Sequence, residues 1–128
     1  MHKSKLLACA LAAGLWSAPV HAQSGSHVIA TGEDLARACA DPAGGVIAPA
    51  ERERLLVCGS YMRGYLGHYS AQRSRNRTAG YCLPQSGVSP EQIRELYVKV
   101  LSQRPALRDY PAAVNLLTIL EAAYPCRP

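Results

Sequence analysis

Ser89-Pro90-Glu91-Gln92-Ile93-Arg94-Glu95-Leu96-Tyr97-Val98-Lys99-Val100-Leu101 is the stretch that decides the fold. Serine at the N-cap, proline in the first turn and glutamine at N3 form a helix-initiating box, in which each end satisfies a backbone or side-chain group of the other. Ile93, Leu96, Tyr97, Val100 and Leu101 then recur at helical steps of three and four, so one face is apolar and the opposite face is charged. The pattern predicts a helix that ends before Pro105.

The same period appears on either side. Upstream, Pro49 with Glu51 and Glu53 suits a helix N-terminus. Leu55, Cys58, Met62, Tyr65, Leu66 and Tyr69 follow on one stripe, predicting a long helix to about Gln72 that faces a core. Ser60, Gly64, Gly67 and Ala71 trace a second stripe of small residues. Each helical glycine costs about 1 kcal/mol relative to alanine, so close approach by a neighbouring helix or a second subunit is expected there. Tyr61, Tyr65 and Tyr69 form a ladder, with Tyr61 and Tyr65 assigned to the core and Tyr69 to an interface.

Downstream, a fourth helix is expected from near Pro111 to about Ala123, with Val114, Leu117 and Leu120 on one side and Leu116 and Ile119 broadening it. Thr31 with Asp34 three residues on is a weaker capping box that starts a short first helix to about Ala40, broken by Asp41-Pro42 and Gly44-Gly45. No strand-like alternation competes. The fold class is therefore all-α, a small disulfide-stapled bundle of about four helices.

Between the second and third helices, residues 72–80 carry Arg73, Arg75, Asn76 and Arg77 without apolar periodicity. This reads as a basic loop, tied at its far end by Tyr81-Cys82-Leu83-Pro84, with its tip in solvent. Arginine makes bidentate contacts to carboxylates, so an anchored loop bearing three of them could enter an acidic cleft. His68 and Tyr69, at its base, complete the candidate partner-binding set of His68, Tyr69, Arg73, Arg75, Asn76 and Arg77.

The chain opens with Lys3 and Lys5 and an apolar run over residues 6–18, too short to span a bilayer. That is the pattern of a signal peptide, with cleavage expected after Val20-His21-Ala22, leaving residues 23–128 as one domain without a membrane anchor. A lipoprotein signal ending at Cys9 is rejected because only Leu6, Leu7 and Ala8 separate it from Lys5. Losing the leader leaves twelve basic against nine acidic residues, a net charge near +3 where the full chain has +5. With Lys99 its one remaining lysine, the domain lacks the dense basic face of a nucleic-acid binder. Four cysteines also remain, Cys39, Cys58, Cys82 and Cys126. In an exported chain these imply two disulfides, with three pairings open.

Chemistry has little footing. No Cys-x-x-Cys pair offers a zinc, haem or thioredoxin-like site, and His27 and His68 have no relay to a free thiolate. Asp and Glu residues sit mostly in first turns and loops, where capping explains them. No catalytic residue, metal or cofactor is expected.

Taken together, Cys58-Gly59-Ser60-Tyr61-Met62-Arg63-Gly64, the Tyr81-Cys82-Leu83-Pro84 unit and the tail from Pro90 through Arg104-Pro105 to Tyr124-Pro125-Cys126 resemble the Rap/Tai immunity proteins. These protect bacteria against type VI secreted peptidoglycan amidases. The pattern departs at Ser60, where a glycine usually precedes the tyrosine, and the 73–77 arginines follow no family pattern. The resemblance implies a periplasmic inhibitor, often a homodimer, that binds an amidase effector and occludes its active site. A periplasmic helical chaperone binding unfolded clients is the alternative.

Overall fold

A computed structural model describes residues 28–127, so the expected leader at residues 1–22, its cleavage site and His27 lie outside the described part. The elements are α1 (Gly32–Cys39), α2 (Pro49–Ser74), α3 (Pro90–Gln103), a short 3-10 turn (Pro105–Asp109) and α4 (Ala112–Ala123). Among the described residues there is no strand, only an isolated bridge between Thr31 and Pro111. The four helices begin and end close to where their sequence signals place them.

Both capping boxes form. Ser89 Oγ accepts from the Gln92 N–H at 3.2 Å while Gln92 Oε1 accepts from the Ser89 N–H at 2.8 Å. At α1, Thr31 Oγ1 accepts from the Asp34 N–H at 3.2 Å, and Asp34 Oδ2 accepts from the Thr31 N–H at 2.9 Å. Gly44 and Gly45, at φ +89° and +76°, turn the chain between α1 and α2 through backbone that other residues rarely adopt.

α1 and α3 occupy the centre, each packed against both α2 and α4. Where α2 and α4 approach each other they meet through side chains: the Tyr65 hydroxyl donates to the Ala113 carbonyl oxygen. Leu35, Met62, Ile93, Tyr97, Leu101 and Leu116 are fully buried and form the core with both halves of one disulfide. The cysteine pairing is Cys39–Cys58, joining the end of α1 to α2, and Cys82–Cys126, joining the segment before α3 to the tail after α4.

Two expectations about helix faces are corrected. Val114 is 51 % exposed, because the inward side of α4 is Ala112, Asn115, Leu116, Ile119 and Leu120. A polar residue holds an inward position because a half-buried carbonyl needs a donor: Asn115 Nδ2 donates to the Leu107 carbonyl at 2.7 Å and lies 3.4 Å from the Tyr97 hydroxyl, which itself donates to the Gly32 carbonyl at 3.1 Å. Gly32 is required there, since a Cβ would stand 2.3 Å from Asn115 Nδ2 and 2.8 Å from the Leu107 oxygen. On α2, the small stripe meets no neighbouring helix among the described residues. Ser60, Gly64, Gly67 and Ala71 are exposed, and nothing lies within 4 Å of where a Cβ would be on Gly64 or Gly67.

Candidate functional site: the cationic end of α2

Expected to stop near Gln72, α2 continues to Ser74, so Arg73 belongs to its last turn and Arg75 is its C-cap. Nothing in Gln72-Arg73-Ser74-Arg75 breaks a helix, and the chain turns only at Asn76, the one non-glycine residue with positive φ among those described, at 53°. There the Asn76 N–H donates to the Arg73 carbonyl at 3.0 Å and the Arg77 N–H to the Gln72 carbonyl at 2.9 Å. That pair of bonds around a left-handed residue is a Schellman termination, and asparagine tolerates the conformation better than any residue with a bulkier or branched side chain. The presumed loop is thus an ordered helix end that carries three arginines at fixed backbone positions.

Its far side is anchored as expected. Tyr81 is buried at 2 % exposure and its ring stacks on Tyr69, centroids 5.1 Å apart. The Leu83 N–H donates to the Tyr69 hydroxyl at 3.1 Å, the Cys82 N–H to the Tyr124 carbonyl at 2.8 Å, and Cys82 is bonded to Cys126. Gly80, at φ +85°, lets the backbone pass beside the Glu121 carboxylate, 2.4 Å from where its Cβ would stand.

Of the six residues assigned to partner binding, Arg73, Arg75, Asn76 and Arg77 come together at this end, and all four are exposed. His68 is exposed on α2. Consecutive residues of a helix point about 100° apart, and Tyr69 faces inward: its ring and hydroxyl position the 81–83 segment, leaving a half-buried edge at the surface. Sequence reading passed over Arg63, also exposed on α2. The signal was present, since residues 55–90 contain Arg63, Arg73, Arg75 and Arg77 and no Asp or Glu.

Ion pairing divides the arginines into two sets, and Arg52, Arg104 and Arg127, scattered elsewhere on the surface, fall with those that have no side-chain partner among the described residues. Arg37, Arg54, Arg94 and Arg108 are all engaged around α1, in ion pairs with Asp34, Glu51, Asp41 and Glu33. None of Arg63, Arg73, Arg75 or Arg77 has a side-chain ion pair or hydrogen bond among the described residues. Deeper in, burial pushes the Tyr65 hydroxyl up to about 12 and raises that of Tyr97 as well, so both remain protonated donors. Among the described residues no group of three or more His, Cys, Asp or Glu could hold a metal ion, and no helix is long and apolar enough to cross a membrane.

Such a molecule is defined by its surface: an all-helical, disulfide-linked domain presenting a fixed, uncompensated cationic end. The family of Rap1a immunity proteins matches residues 31–126, and the chain belongs to that family. It is therefore an immunity protein, of a kind that binds a partner effector protein. No curated protein and no solved structure matches it.

Proposed function

We propose that this chain is a periplasmic immunity protein that binds a type VI secreted peptidoglycan amidase effector and occludes its active site, without cofactor and without chemistry of its own. Family membership supports an effector as the partner. The leader-like residues 1–22 support export and cleavage, and two disulfides suit an oxidising compartment. Amidase as the target follows the resemblance of the Cys58 to Gly64 and Tyr81 to Pro84 motifs. The open Ser60 to Ala71 stripe leaves room for a second copy, in keeping with the dimers of the family it resembles.

The observation that carries the docking surface is the clustering of Arg73, Arg75 and Arg77, exposed and without side-chain partners among the described residues, on one ordered helix end. Arginines left uncompensated on an ordered helix end incur no cost of breaking internal contacts when they meet carboxylates. Arg73, Arg75 and Arg77 are the primary contacts, Asn76 fixes their backbone, and His68 extends the surface along α2.

Calorimetric titration against type VI peptidoglycan amidases, beginning with any encoded in the neighbouring genes, tests the reading. Replacing Arg73, Arg75 and Arg77 together with alanine weakens binding at least tenfold, about 1.4 kcal/mol, and flattens its salt dependence. Unchanged affinity removes the cationic end from the account. An unmodified chain that binds no amidase overturns the partner.

A further inference from the structure

The two disulfides stand in unlike surroundings. Cys39 and Cys58 are wholly buried where α1 meets α2. Cys126 lies in the exposed tail and Cys82 is only half-buried, at the foot of the segment that leads away from Arg75, Asn76 and Arg77. Apart from that bond, the segment is held by the Cys82–Tyr124 backbone hydrogen bond, the Leu83 N–H on the Tyr69 hydroxyl, and the Tyr69–Tyr81 stack. Residues 75–78, between helix end and anchor, are exposed throughout.

We propose that Cys82–Cys126 is a thiol-operated latch that sets how firmly the cationic end of α2 is held, while Cys39–Cys58 keeps the bundle folded. Its bearing on a partner rests on the docking surface proposed above; the latch itself does not. The opening reagent is a dithiol. Its thiolate attacks the sulfur of Cys126, the more exposed residue of the pair, forming a mixed disulfide as the Cys82–Cys126 bond breaks, and Cys82 leaves as a thiolate that takes a proton from water. The reagent's second thiol then displaces Cys126, which is protonated in turn. Two electrons pass from the dithiol, which ends as a disulfide, to the chain, which ends with two thiols. Access decides which bond reacts, since a buried sulfur cannot be reached in line without local unfolding.

The test needs no partner, so its failure is distinct from failure of the docking surface. The full chain is titrated with dithiothreitol, thiols are alkylated and located by mass spectrometry, and amide exchange is followed alongside. Cys82 and Cys126 become labelled at a dithiothreitol concentration at least tenfold below that for Cys39 and Cys58. At that plateau amides of residues 76–83 exchange at least tenfold faster, while those of α1 and α3 keep their protection. Replacing Cys82 and Cys126 with alanine reproduces the faster exchange without any reagent. Simultaneous labelling of both pairs, loss of helix protection at the first plateau, unaltered exchange at residues 76–83, or a double variant that does not fold would each overturn the latch.

Discussion

Arginine does opposite work at the two ends of this molecule. Around α1 it is mortar. One Arg54 Nη1 lies within 2.8 to 3.0 Å of the carbonyl oxygens of Arg37, Ala38 and Ala40, and Arg94 Nη1 lies 2.9 Å from the Cys39 carbonyl. α1 has only eight residues and ends at Ala40 without a left-handed cap, so its last carbonyls need donors from elsewhere. Cations from α2 and α3 supply them and suit the negative end of the helix dipole. At the end of α2 the backbone satisfies itself through the Asn76 turn, and the arginines are left over. Arginine is thus structural at the end of α1, which lacks a left-handed cap, and without a side-chain partner among the described residues at the end of α2, which has one.

Four experiments break or sharpen that contrast. The largest expected effect is on stability: Arg54→Ala strips charge-assisted donors from the end of α1 and lowers the unfolding free energy by about 2 to 3 kcal/mol in urea denaturation, with effector affinity unchanged. Next, the triple alanine variant of Arg73, Arg75 and Arg77 should do the reverse, leaving the unfolding free energy within about 0.5 kcal/mol of the parent while affinity falls. A large stability loss there would mean those side chains hold the fold after all. Third, Asn76→Val forces a branched residue into left-handed backbone and costs about 1 to 2 kcal/mol, whereas Asn76→Gly is neutral or slightly stabilising. Equal midpoints for the two would remove the Schellman turn as the reason the end is ordered.

The smallest effect concerns pH. Hydrogen bonds from the Thr31 N–H and hydroxyl hold the Asp34 carboxyl below its ordinary 3.8. Stabilisation from that cap is present above 3.8 and lost as the pH falls through the lower value of the folded state. Acid titration by circular dichroism should therefore find Asp34→Asn less stable than the parent near neutrality and converging with it at the acid end. Tyr65 gives the alkaline counterpart: its hydroxyl is raised to about 12 by burial, so its contribution holds below 10 and is lost as the pH climbs through the folded value.

Local signals make most of the fold legible in the sequence. Caps and periodicity are short-range effects, and Thr31, Pro49, Ser89 and Pro105 each mark a helix boundary close to where it lies. Inward faces were harder to read. Val114, expected inside, faces out and Asn115 faces in because the phase of α4 answers to a carbonyl on the 3-10 turn, a demand visible only once the chain is folded. Cysteine pairing belongs to the same class, since it depends on which helices meet. At the candidate site the residue types could be read and their state could not: an arginine-rich stretch without apolar periodicity looks like a loop, because helix continuation through Ser74 hinges on a left-handed turn at Asn76. That Arg54 and Arg94 reach the last carbonyls of α1 follows from tertiary neighbours alone, whereas the lack of Asp and Glu over residues 55–90 is written in the sequence.

The 26 unbroken residues of α2 make it a graduated shaft. Adding or deleting one residue between Tyr69, which is keyed to the anchor, and Arg73 would rotate every downstream cation by about 100° and shift it about 1.5 Å along the axis. A lineage could thereby redirect its charged tip toward a new cleft by a single codon insertion, with no arginine changed and the bundle beneath left as it was.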